Sequence, residues 1–447
     1  MKLFHASVLM LLGLATTGVQ AWENHTLASY RAFERMPEVA NAPPATVEPL
    51  EAFLRAEENT IEALLASQEA WARANLGKYP ARPNHLAFTA IPNRSDEARR
   101  IAFLQALRIA PNSKFALFIQ PDPWNPAPGT PLPASAVNTL WDSQMSSIKF
   151  LAIKAGDQIP ALTVLASASD EPDYGLDMHL WDDSPSEWGR QYGFGPQPFG
   201  NPALAYSSMA PFHMAFMHES PLINMTAPFL HRTFPLLRSH QFSTLSALAF
   251  RTGHAYWGWR FAGLSLHYLQ DLTQPYHASV APGESTIKLL GINALAMVGG
   301  SGKKNDLLVL LSNRHLVLER YQAEYLLQSA ARCQESAMEQ ALRNGDKDRT
   351  YPEWSERYLR EVVSLQAAHS ANGVTQRLLA AMPALYVSDP TFDFGVRQAS
   401  IQLHKEMGLR ESAERRRLNA SMASLMENFG AHSRNALRGI LRASNLP

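Results

Sequence analysis

The stretch HYLQDLTQPYH (267–277) constrains this chain more than any other, because it sets three metal-binding side chains relative to a helix and its end. His267 and Asp271 are four residues apart, so on a helix they stack on one face and can grip one ion. Pro275 ends that helix, and the turn brings His277 back close by, off the same helical line. Two imidazoles and a carboxylate at this spacing suit zinc, which takes nitrogen and oxygen ligands at short, fixed distances.

Two further segments supply more ligands of the same kind. HLVLE (315–319) repeats the four-residue spacing with His315 and Glu319 inside an apolar helical run. With His277 it makes a two-histidine, one-glutamate set that leaves coordination positions open for water. WENH (22–25) follows a segment that reads as an export signal: Lys2, the apolar run 8–14, and Val19-Gln20-Ala21 as a small-residue cleavage site. Cleavage after Ala21 is expected to free the α-amino group of Trp22 and to place amine, carbonyl and the His25 imidazole together. The apolar run is too short to span a bilayer, so a secreted or periplasmic protein is expected rather than an anchored one. Each short motif alone is commonly an ion pair or packed core; their order along one chain carries the reading.

The 447 residues suffice for one large domain or two ordinary ones. Forty basic residues balance forty acidic ones, which excludes the cationic surface of a general nucleic-acid binder. Cys333 is the sole cysteine, so no intrachain disulfide can form, and stability must come from a large core and bound metal. Helical periodicity covers 47–76, 96–107, 244–272, 316–343, 354–369 and 406–441, while strand-like alternation is scarce. The Pro-rich runs 37–44 and 121–133 break it, and 182–202, rich in Gly, Pro and aromatics, is expected to loop over the surface. An unusually apolar stretch, 286–300, reads as a buried helix or as a flap that touches lipid.

On HYLQDLTQPYH, HLVLE and WENH the chain resembles the zinc-dependent phospholipase C family, whose relatives include the single-strand-specific zinc nucleases. The resemblance implies an all-α, multi-helix catalytic domain over 22–447 holding three zinc ions, with insertions at 40–160 and 280–312 and the tail 320–447 completing the same domain. It implies one zinc on Trp22 and His25, with Asp271 bridging to a second. It gives the second zinc His267, another histidine and another aspartate, and the third His277, His315 and Glu319. For the missing pair the choice is Asp173, in Pro-Asp-Tyr after the apolar helix 159–168, and His213, whose distance to His267 resembles the family's. Asp170 and Asp177 compete with Asp173. His218, His231, His240 and His254 read as structural.

The expected activity is phosphodiester hydrolysis by zinc-activated water, with Asp173 orienting or deprotonating it and no organic cofactor. Phosphatidylcholine-like phospholipid is the favoured substrate class, so the expected partner is a membrane surface, with no stable nucleic-acid complex and no protein partner. Tyr174 resembles a head-group aromatic and Glu23 is a candidate head-group carboxylate, although simple packing also accounts for Tyr174. A single-strand nuclease or 3′-nucleotidase is the alternative, with Trp181, Trp188, Tyr192 and Phe194 available to stack bases. A non-catalytic zinc-binding helical protein is the second alternative.

Overall fold

A computed structural model describes residues 24–140, 148–202, 204–297, 302–408 and 412–445. Helix accounts for 62% and strand for 3%, so the chain is all-α, as its periodicity implies. The longer elements in chain order are α1 (His25–Phe33), α2 (Leu50–Ala56), α3 (Glu58–Asn75), α4 (Asp96–Leu107), α5 (Ala161–Ala168) and α6 (Ala205–His213). They are followed by α7 (Pro221–Thr226), α8 (Pro235–Arg251), α9 (Ala255–Asp271), α10 (Pro275–Ala278) and α11 (Thr286–Met297). The last are α12 (Gly302–Ala331), α13 (Ala337–Arg343), α14 (Leu365–Ala381) and α15 (Ala413–Ala443).

Helix α9 sits at the centre. It carries large apolar side chains around its circumference together with Arg260, His267, Gln270 and Asp271, and every residue from Tyr256 to Asp271 is buried, so these polar groups must find partners inside the protein. It packs beside α8, α5 and α15. The sequence reads 244–272 as one helix, but the chain reverses at Gly253, whose φ of +86° belongs to the left-handed region that glycine enters freely. Two antiparallel helices replace one long one. Gly263 sets the other close approach: a Cβ there would lie 2.5 Å from the Leu165 carbonyl oxygen and 2.6 Å from the Ala168 Cβ. Only glycine lets α5 lie this near α9, and the chain leaving α5 is the one that carries Asp170, Asp173 and Asp177.

Segment 40–160 forms α2, α3 and α4, followed by small antiparallel pairings. Strands β1 (Ala45–Thr46) and β5 (Gln158–Ile159) pair, and β4 (Phe150–Ala152) lies between β2 (Phe118–Ile119) and β3 (Thr130–Leu132). Leu50, Phe53, Ile61 and Phe103 from this segment share one apolar cluster with Leu27, Leu266, Phe429 and Leu441. The helices of 40–160 and the tail are therefore built into one core. Segment 182–202 is largely irregular and runs over the surface, as its Gly and Pro content implies, with Asp182, Asp183, Glu187 and Arg190 exposed, but its larger rings turn inward. Trp181, just before it, and its own Tyr192 and Phe194 are buried with Phe212 and Phe234, because rings of that size gain too much from burial to stay in water.

Candidate metal centre

Six stretches of backbone deliver the candidate ligands. Asn24 caps α1 by accepting from the Leu27 N–H at 2.9 Å, which puts His25 at the first helical position. The His25 N–H donates to Asp170 Oδ1 at 2.6 Å and ties that helix start to the chain after α5. His213 closes α6, His267 and Asp271 lie on the last turns of α9, and Gln274 caps α10 through the Tyr276 N–H at 2.6 Å, presenting His277. His315 and Glu319 share the inner face of α12.

Among the described residues, three groups bring potential ligand atoms within 4.8 Å of one another: His25, Asp173 and His267; His213, His267 and Asp271; and His277, His315 and Glu319. All eight residues are buried. Asp271 joins the first two groups, with Oδ1 3.3 Å from His25 Nε2 and Oδ2 2.8 Å from His213 Nδ1. His267 Nε2 is 3.0 Å from His213 Nδ1, and Asp173 Oδ1 lies 3.7 Å and 3.6 Å from those two nitrogens. In the third group His277 Nε2 faces His315 Nε2 at 3.0 Å, and Glu319 Oε1 is 2.6 Å from the latter.

The tautomers follow from the groups behind the rings. His267 Nδ1–H donates to the Ser169 carbonyl at 2.7 Å and His277 Nδ1–H to the His213 carbonyl at 2.9 Å. His25 Nδ1–H donates to Gln270 Oε1 at 2.8 Å, while the Gln270 amide nitrogen donates to Ser29 and Ser433. Each of these three rings therefore turns a lone-pair Nε2 towards its group, the usual support for a metal-bound imidazole. His25 Nε2 and Asp271 Oδ1 are buried without a hydrogen-bond partner. Nitrogen lone pairs facing each other at 3.0 Å, and orphaned buried ligand atoms, cost free energy that a shared cation removes. The residues fit metal ions.

Electrostatics point the same way. Burial opposes charge on His25, but Asp271, Asp170 and Asp173 outweigh it and raise the imidazole to about 9. His213 rises to about 10 against burial, through Asp177, Asp271 and Asp173. Burial pushes Asp173 up, with His213 pulling it down and Asp271 pushing further up. The carboxylates thus create a potential that favours positive charge. The third group differs: burial drives His315 down to about 3 and lowers His277, which keeps both rings neutral, and raises Glu319 to about 7.

The structure separates the three competing aspartates. Asp177 is tied to Arg238 Nε at 2.7 Å and to the Tyr268 hydroxyl at 2.7 Å, and Asp170 accepts from the His25 N–H and Gln120. Asp177 also lies 3.5 Å from His213 Nε2, and Asp173 is the one of the three that approaches both His213 Nδ1 and His267 Nε2. His218, His231, His240 and His254 belong to none of the groups. His218 Nε2–H donates to the Arg360 carbonyl at 2.8 Å, and His240 stacks on Trp71 at 3.7 Å. Trp22 and Glu23 lie outside the described residues.

Two expectations are corrected. Tyr174 is 4% exposed, packed edge-on against Phe150 with its hydroxyl 2.6 Å from Gln120 Nε2, so it fills a small core instead of facing a head group. Trp181, Tyr192 and Phe194 are enclosed in the aromatic cluster described above and present no face to a base. The sequence reading also missed Gln270 and Gln274. Gln274 Nε2 donates to Glu319 Oε1 at 2.7 Å. Their position between the ligands of 267–277 was the available signal, but an amide's partner lies far along the chain.

Beside the third group lies an apolar cavity of about 240 Å³, walled by α6, α7, α11 and α12, with Tyr276 and His315 in its lining. Tyr276 stacks on the His315 ring at 5.6 Å. No known family profile matches this chain, and no curated protein is detectably similar to it in sequence.

Proposed function

We propose that this chain is an exported zinc-dependent phospholipase C that releases a phosphorylated head group and diacylglycerol from phosphatidylcholine-like lipids. The observation that carries the reading is the convergence of His25, Asp173, His213, His267 and Asp271 with His277, His315 and Glu319, drawn from six separate elements. An all-helical frame with this ligand order supports the zinc phospholipase and nuclease fold. Zinc fits the nitrogen and carboxylate donors, with three ions expected: one on His25 and Asp271 with Trp22, one on Asp173, His213, His267 and Asp271, and one on His277, His315 and Glu319.

Zinc held by these groups would neutralise phosphoryl oxygens and supply water that ionises near neutral pH. The protein's own work is positional. Asp271 holds two of the groups in register through its two oxygens, and the carbonyls of Ser169 and His213 keep the imidazoles in the tautomer that offers Nε2. Asp173, the carboxylate turned to the ligands and not to an arginine, orients the attacking water and takes its proton. Lipid is favoured over nucleic acid by the apolar cavity at His315 and by the burial of Trp181, Tyr192 and Phe194, three of the four aromatics available for base stacking.

The test is protein beginning at Trp22, loaded with zinc and incubated with phosphatidylcholine and separately with single-stranded DNA, with and without chelator. Chelator-sensitive phosphocholine release is expected. Nucleotide release would favour the nuclease, and inertness towards both would favour a structural zinc protein. An added residue before Trp22 is expected to abolish activity by blocking the α-amino ligand.

A further inference from the structure

We infer that the cavity between α7, α11 and α12 is a binding site for an acyl chain of the substrate lipid. The choice of ligand rests on the phospholipase reading, but the site stands on its own geometry. Met214, Phe216, Ile223, Leu230, Leu289 and Leu308 form much of its wall, and the cavity reaches His315 of the third ligand group. A phosphate or base placed against such walls would lose its water without gaining partners, whereas a hydrocarbon chain loses nothing.

The helices that make the wall also carry apolar side chains outward. Of the nine large apolar residues left exposed among the described residues, four lie on α7 and α11: Leu222, Met225, Ile287 and Leu295. Met225 is 73% and Ile287 82% exposed, so the fold does not use them. Helix α11 is mostly apolar, with Lys288 its one charged residue, but it is only twelve residues long, and no described helix is long and apolar enough to cross a membrane. Such a helix suits lying in the lipid interface with the cavity beneath it. Exposed Lys303 and the wall residue Lys304 add cationic charge beside anionic lipid phosphate. Arg314 binds Glu284 at 3.0 Å and so fastens the start of α11 to α12, which keeps the cavity wall joined to the helix bearing His315. An acyl chain seated there lies within one side chain of the ligand group, so chain and phosphodiester can be engaged together.

The test uses a fluorescent aliphatic acid, 11-(dansylamino)undecanoic acid, titrated into the full protein, with Leu308→Trp and Ile292→Trp as two independent ways of filling the cavity. Circular dichroism identifies any variant that fails to fold, leaving the other to decide. The expected result is saturable binding by the native chain, weakened at least tenfold in each folded variant, and a preference for dioctanoyl over dibutanoyl phosphatidylcholine that the variants lose. Absent binding, or binding and chain-length preference that both variants leave unchanged, overturns the acyl site. Self-association that excludes the probe would assign this face to a second copy and likewise overturn it. Probe binding lost in the variants, with no phosphocholine released from any lipid, supports the acyl site while rejecting the phospholipase reading.

Discussion

Asp271 turns Oδ2 to within 2.8 Å of His213 Nδ1, and its other oxygen stands 3.3 Å from His25 Nε2. One side chain therefore joins residues that lie 58 and 246 positions away in sequence. Asp271→Asn keeps the shape but removes the shared negative charge. The expected outcome is loss of the two ions that Asp271 joins, with the ion on His277, His315 and Glu319 retained, and activity reduced at least about 100-fold. Metal analysis of the dialysed variant checks the first part and phosphocholine release the second.

Asp173 and Asp177 should respond oppositely to the same change. Asp177 is wholly buried against Arg238, so Asp177→Asn leaves a guanidinium without its counter-charge and should cost about 3–5 kcal/mol of stability. Asp173 faces only the ligand nitrogens, and burial already disfavours its charge. Asp173→Asn is expected to leave the metal-free protein as stable as the native one or more so, while removing activity. Urea unfolding of both variants after chelator treatment separates the two roles.

Gln274 performs two tasks with one amide. Its oxygen caps α10 by accepting from Tyr276 N–H, and its nitrogen donates to Glu319 Oε1 at 2.7 Å. Gln274→Ala frees both Glu319 and the turn that presents His277. The ion on that group should bind about 10- to 100-fold more weakly, while the ions near Asp271 are unaffected. Competition with a graded chelator, followed by zinc counting, measures this.

Acid stability should depend on His432. The Tyr358 hydroxyl donates to its Nδ1 at 2.8 Å, and its Nε2–H donates to Gln366 at 2.8 Å, so the neutral ring joins α14 to α15. Burial pushes this imidazole down to about 3, with Lys347 adding to the effect and Asp348 opposing it. The unfolded chain then takes up the proton first, so the stabilisation is complete above about 6.5 and falls as pH drops towards 3. Between pH 7.5 and pH 5 the loss from this residue should be about 2 kcal/mol. In His432→Gln the pH dependence of urea unfolding over that interval should be shallower by that amount.

The sequence alone determined the helical class and two ligand pairs, His267 with Asp271 and His315 with Glu319. A four-residue spacing on a helix is a local geometric fact that needs no tertiary information. Pro275 does not end the central helix, which stops at Asp271; it opens the next short helix, α10, at the first-turn position that tolerates its missing N–H. Tertiary structure decided what depends on distant partners. Asp170, Asp173 and Asp177 are near-equivalent in sequence, and only the positions of His25, Arg238 and Tyr268 separate Asp173, turned to His213 and His267, from the two carboxylates held by other partners. Tyr174 and the aromatics of 181–194 carry no local sign of burial, since rings suit a lipid, a base or a core equally. Their fate was set by what packed around them, a property of the folded chain and not of any short stretch of it.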